Sequence, residues 1–244
     1  MAGIFVELGW GQEKVTTTTR REHPLGQLAM SPDGRIFRWG FTDGVIGAGN
    51  LVAQKAPMAN NDMDLAIQAA AAIGSGTIAV TLGATALTLN QLEDGSIYID
   101  SGTGSGHHYR IRSNAVVASS GTATLTLHET VRIALTTATS QCGLIENIYK
   151  DLVVHPTTTV GMALGVLPTN FADNTYGWVQ VYGEACVLIE GTVTLGQTVM
   201  PSTTTAGAVA AVNFAGTAET PIVGQVTSVV AATTEFGHIF LQLM

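Results

Sequence analysis

Beyond Lys150 the chain contains no lysine or arginine, and this constrains its fold more than any other feature. Six carboxylates, Asp151, Asp173, Glu184, Glu190, Glu219 and Glu235, are the only formal charges in about ninety residues rich in Val, Ala, Thr and Gly. Such a segment folds in water by closing on itself or by packing against copies of itself. The gradient runs through the whole chain: residues 1–60 carry +1, 61–150 carry −3 and 151–244 carry −6. Phosphate contact needs clustered Lys and Arg, so this distribution argues against nucleic acid as the main ligand.

Only 11% of the 244 residues are charged, well under the usual quarter. Threonine fills the gap, with runs at Thr16–Thr19, Thr157–Thr159 and Thr203–Thr205. Thr and Val are β-branched and suit a pleated, half-buried surface. With regularly spaced turn signals, they predict an all-β protein of sandwich or barrel units with little or no helix. A sparsely charged surface is poorly soluble in a monomer, so the composition predicts a homo-oligomer.

Three segments are expected. Residues 1–56 form an extended N-terminal arm and a hairpin turning at Ser31-Pro-Asp-Gly34. Residues 57–150 form a sandwich-like domain with strands near Thr77–Leu82, Thr85–Leu89, Ser96–Asp100, His107–Arg112, Thr122–Leu127 and Val131–Leu135. Asp62–Ile73 reads as helix or strand, with strand preferred, and Leu144–Pro156 as an irregular connector. Residues 151–244 form a barrel-like domain around a long strand, Tyr176–Glu190, with Gly183 marking a bulge or bend. The two cysteines, Cys142 and Cys186, read as buried thiols rather than a bridge. The N-terminus lacks a signal-peptide pattern, and no stretch supplies the ~20 predominantly apolar residues of a membrane span.

Catalytic signatures are missing. Gly102-Thr-Gly-Ser-Gly106 leads into a strand rather than a helix, so it reads as a hairpin loop and not a phosphate cradle. The six histidines form no His-x-x-x-His pair, and no Cys-x-x-Cys exists. No catalytic residue, metal site or cofactor is assigned, and the chain is read as a non-enzyme. Two groups of contact residues stand out instead. The first forty residues concentrate Trp10, Arg20, Arg21, Arg35, Arg38 and Trp39, and Trp and Arg are favoured interface anchors. Period-two alternation also places Tyr176, Trp178 and Tyr182 on one face of the long strand, as a possible aromatic binding face. The same pattern fits a core strand covered on both sides, and that reading is preferred.

Read together, Tyr176-Gly-Trp-Val-Gln-Val-Tyr-Gly183, Glu190-Gly-Thr-Val-Thr-Leu-Gly196, Gly207-Ala-Val, Ile222-Val-Gly224 and the hairpin Asp33-Gly-Arg-Ile-Phe-Arg-Trp39 resemble virion structural proteins of tailed bacteriophages. The resemblance is greatest to capsid decoration (cement) proteins. It implies trimers on the outer capsid surface, assembled in the host cytoplasm, that contact the major capsid protein and bridge capsomers. The first-forty-residue group would then be the capsid contact. The competing expectation is a phage tail or head-fibre component, an adhesin that binds host glycans through the aromatic strand.

Overall fold

A computed structural model describes residues 5–19, 22–158, 161–212, 221–230, 232 and 234–243. The architecture is all-β, and the chain divides into two compact units. One is assembled from both ends of the chain, residues 1–56 and 149–244, and the other is the intervening 57–148.

The first unit begins with β1 (Phe5–Glu7), β2 (Leu28–Met30), β3 (Ile36–Thr42) and β4 (Leu51–Ala53). The hairpin between β2 and β3 closes where the sequence predicts, with Gly34 donating its amide to the Ser31 carbonyl at 3.0 Å.

The second unit holds β5 (Leu65–Ala69), β6 (Thr77–Thr81), β7 (Ser96–Ser101), β8 (His108–Asn114), β9 (Thr122–Leu127) and β10 (Gln141–Ile145). These close into a barrel in the order β10-β5-β6-β9-β8-β7. The region 62–73 thus contributes a strand, as preferred. Alternate residues Ile78, Val80, Ile97, Ile99, Tyr109, Ile111, Ala123 and Leu125 fill the interior, as strand periodicity requires. Two expected strands are reduced to single bridges, Leu87 with Val117 and Leu135 with Ala71. β10, which closes the barrel, is not among the expected strands, and only its last two residues, Leu144 and Ile145, fall in the expected connector.

The chain then returns to the first unit with β11 (Val153–Val154), β12 (Ala163–Val166), β13 (Thr175–Glu190), β14 (Thr198–Pro201), β15 (Val209–Ala211), β16 (Gly224–Val226) and β17 (Glu235–Gln242). Residues 1–56 and 151–244, expected to be separate, are therefore joined in one sheet. β13 is the reason. Its first half pairs with β3, from Thr175 opposite Thr42 to Tyr182 opposite Ile36. Its second half pairs along β17, from Tyr182 opposite Gln242 to Ile189 opposite Glu235. Pairings β13–β15–β14–β16–β17–β13 also form a closed circuit, the barrel-like part that the sequence predicts.

β13 is covered on both faces along its first half and mainly on one face along its second. A register shift between Gln180 and Tyr182, followed by Gly183 at φ 92°, separates the two halves. Ahead of it, Trp178 packs with Leu8, Ala29, Phe37 and Trp39. Val179, on the opposite side, is also fully buried. Beyond it, Ala185, Val187 and Ile189 join Val199, Val209, Ile239 and Leu241 in a second core, leaving Glu184 and Cys186 exposed.

Candidate functional site

The described part of the N-terminal segment is built into the body. β1 pairs in parallel with β2, the Leu8 amide donates to the Met30 carbonyl at 2.9 Å, and Thr17 bridges Tyr176. Trp10 stands clear of this docking at 71% exposure, and Val15 at 58%.

The other candidate contacts diverge. Arg20 and Arg21 lie outside the described residues. Arg35 donates from Nε to Asp33 Oδ2 at 2.7 Å and from Nη2 to Glu13 Oε1 at 3.3 Å. Glu13 is buried, and its second carboxylate oxygen has no partner. Burial pushes the Asp33 carboxyl up, but hydrogen bonds from Ser31 and Arg35 and the Arg35 charge together hold it below the usual carboxylate range. Arg38 turns inward at its tip, donating from Nη1 to the Gly26 carbonyl at 2.9 Å. Trp39 is a core residue at 2% exposure, because β3 directs Phe37 and Trp39 to the sheet face on which Leu8, His23 and the cross-strand Trp178 pack.

The aromatic strand resolves along its bulge. Trp178 is 3% exposed and sits edge-on to Trp39, with ring centroids 4.8 Å apart. His23 packs against both indoles, at 5.1 and 5.0 Å. Desolvation lowers the pKa of that imidazole, against a smaller raising effect of Glu22. Tyr176 is half-buried against Trp39 and Phe41. Tyr182, past the register shift, belongs to a different neighbourhood and meets Phe240 edge-on at 5.2 Å. The three rings do not form one binding face.

A groove of about 470 Å³ opens instead on the outward side of the second half of β13, lined in part by Lys14, Arg35, Glu184, Cys186, Phe236 and His238. Antiparallel register sets Cys186 directly opposite His238 and Leu188 opposite Phe236. His238 Nδ1 lies 2.6 Å from Thr227 Oγ1, and the His238 amide donates to Ser228 Oγ. The exposed Cys186 departs from the expectation of two buried thiols, which Cys142 alone fulfils. Phe236 is 55% exposed and supplies an apolar part of the lining, beside the charged groups of Lys14, Arg35 and Glu184. Alternation in 184–190 and 235–242 marks these side chains as outward. Their cross-strand pairing depends on a register that the sequence does not state.

Among the described residues, no group of three or more His, Cys, Asp or Glu is arranged to hold a metal ion. No helix there is long and apolar enough to cross a membrane. No protein-family model, curated protein or solved structure matches the chain.

Proposed function

We propose that the chain is a structural virion protein without enzymatic activity. In this reading it is a decoration (cement) protein of a tailed bacteriophage, bound to the major capsid protein on the outer capsid surface as a homotrimer. The observation that carries it is the exposure of large apolar side chains on a body with few charges. In the unit built from both chain ends, Trp10, Val45, Leu195, Val229 and Phe236 are each more than half exposed. Apolar surface of this kind, with little charge to solvate it, suits a face covered by another chain. Trp10 is the strongest single anchor, since Trp dominates interface hot spots.

Point substitution tests this better than truncation, because removing residues 1–26 would strip Val6, Leu8 and Leu25 from the tryptophan cluster. Trp10→Ala and Phe236→Ala leave the cores intact. Capsid occupancy, measured by electron microscopy of heads mixed with each variant, is expected to fall about tenfold or more for Trp10→Ala while Tm is unchanged. Full occupancy by both variants would overturn the proposal. The competing adhesin reading loses its principal ring, because Trp178 lies within the core.

A further inference from the structure

The barrel unit carries a concentration of charge that its composition does not predict. Residues 57–148 contain seven carboxylates and three arginines, Arg110, Arg112 and Arg132, with three histidines, His107, His108 and His128. All six basic side chains fall on β8 or immediately beside it. His108, Arg110 and Arg112 occupy successive outward positions of β8, and all three are exposed. Such positions lie about 7 Å apart along a strand. The segment 128–132 runs alongside: the Arg110 amide donates to Glu129 Oε1 at 2.7 Å, and the His128 amide to the Arg110 carbonyl at 3.0 Å. The Arg132 amide in turn donates to the Tyr109 hydroxyl at 3.1 Å. Together His107, His108, Arg110, Glu129 and Arg132 enclose, with Tyr109, a depression of about 290 Å³.

The guanidinium groups are not neutralised internally. Arg110 Nη2 donates to a backbone carbonyl, that of Asp94, and no ion pair of Arg110, Arg112 or Arg132 occurs among the described residues. In the other unit Arg35 is held between two carboxylates and Lys55 and Lys150 both meet Asp151, while Arg38, like Arg110, donates to a backbone carbonyl. Two guanidinium groups line the depression against a single carboxylate, that of Glu129, with Arg112 next along the strand, and an anion relieves the excess positive charge while accepting their forked donors.

We propose that this patch binds the acidic groups of an anionic polysaccharide, one carrying isolated carboxylates or sulfates. Charge density selects this occupant over nucleic acid. A duplex presents a charge about every 1.7 Å, a density that three arginines on a unit with seven carboxylates do not match. A glycan with one acidic group per few sugar hydroxyls places single charges on the arginines and neutral hydroxyls on the adjoining Thr126 of β9, which pairs with Ser113 beside Arg112 and is half-buried. The site is independent of the capsid contact proposed above and lies wholly within the barrel.

The test is calorimetric titration of the full chain with a hyaluronan oligosaccharide at low ionic strength, beside dextran and a short DNA duplex. Wild type is expected to bind hyaluronan, to ignore dextran and to bind DNA more weakly. Arg112→Gln/Arg132→Gln, at exposed positions, is expected to retain the wild-type Tm and lose about tenfold or more in hyaluronan affinity. No hyaluronan binding by wild type, undiminished binding by the variant, or equal or tighter binding of DNA or dextran each overturns the proposal. So does a variant that loses self-association when wild type binds no hyaluronan, since the patch then serves contact between copies.

Discussion

Gly183→Ala is expected to destabilise the two-ended unit and leave the barrel unaffected, because Gly183 follows the irregularity that divides β13 and has a left-handed backbone. Two terms add. At φ 92° an L-residue pays about 1–2 kcal/mol for the left-handed backbone. The new Cβ would also lie 3.0 Å from Arg35 Cγ and 3.2 Å from its Cα. Cγ can swing aside, but the Cα belongs to the backbone at the head of β3, so relief needs a main-chain shift costing about a further 1 kcal/mol. Gly191→Ala separates the terms. Gly191 has φ 76° and nothing within 4 Å of its hypothetical Cβ, so it reports the backbone cost alone. Both substitutions gain the same ~0.4–1 kcal/mol from a stiffer unfolded chain, which cancels in the comparison. For a unit of about 150 residues, each 1 kcal/mol corresponds to roughly 2–4 °C in Tm. Thermal unfolding followed by near-ultraviolet circular dichroism should show the Gly183→Ala transition about 2–4 °C below that of Gly191→Ala. Equal transitions would refute the claim that Arg35 is wedged against this strand.

Three further outcomes are expected. Trp178→Ala should cost about 3–5 kcal/mol, lowering the Tm of the same unit, since the indole is 3% exposed among Leu8, Ala29, Phe37 and Trp39; a variant with wild-type Tm would place the ring outside the core. His155 is buried with Nε2 unpartnered, and desolvation lowers its pKa against the raising effect of its Pro156 carbonyl bond. The unfolded chain therefore takes up a proton near pH 6.5 that the folded chain refuses, so stability should fall as pH drops below about 6.5. His155→Gln should reduce that slope in denaturant titrations at a series of pH values, and an unchanged slope would assign it to other groups. Cys186 is exposed, whereas burial, with a smaller contribution from Asp100, pushes the Cys142 thiol up to about 12. Ellman's reagent should titrate one thiol in the native protein and two in guanidinium; two fast native thiols would contradict the burial of Cys142.

The legible parts of the fold are those written in local chemistry. Pro-Asp-Gly fixed the β2–β3 turn, alternation marked β8, β9 and β17, and the glycine at 183 announced the break in β13. Two strands without alternation went unread. β4 is three residues buried throughout, and β10 has Cys142, Gly143 and Leu144 buried in succession, so neither shows the period of a half-covered strand. The parallel pairing of β1 with β2 spans three residues and leaves no periodic mark, hence the expectation of a free arm. Of the candidate contact residues, Trp10 stands exposed. Trp39 and Trp178 were recognisable as neighbours on strands but not as partners, because their contact depends on pairing Thr42 with Thr175 across the inserted barrel.

That pairing has a consequence for the order of events at the ribosome. Residues 57–148 are contiguous and complete a closed barrel as soon as β10 has emerged. β3, by contrast, has no partner for its inner edge until β13 is made, a wait of roughly 7–27 s at ordinary elongation rates. During that interval Phe37 and Trp39 are uncovered and a strand edge is open to other nascent chains. A slow stretch of translation after residue 42 would lengthen this exposure and one after residue 190 would not, so the yield of native protein should depend on where in the message the delay falls.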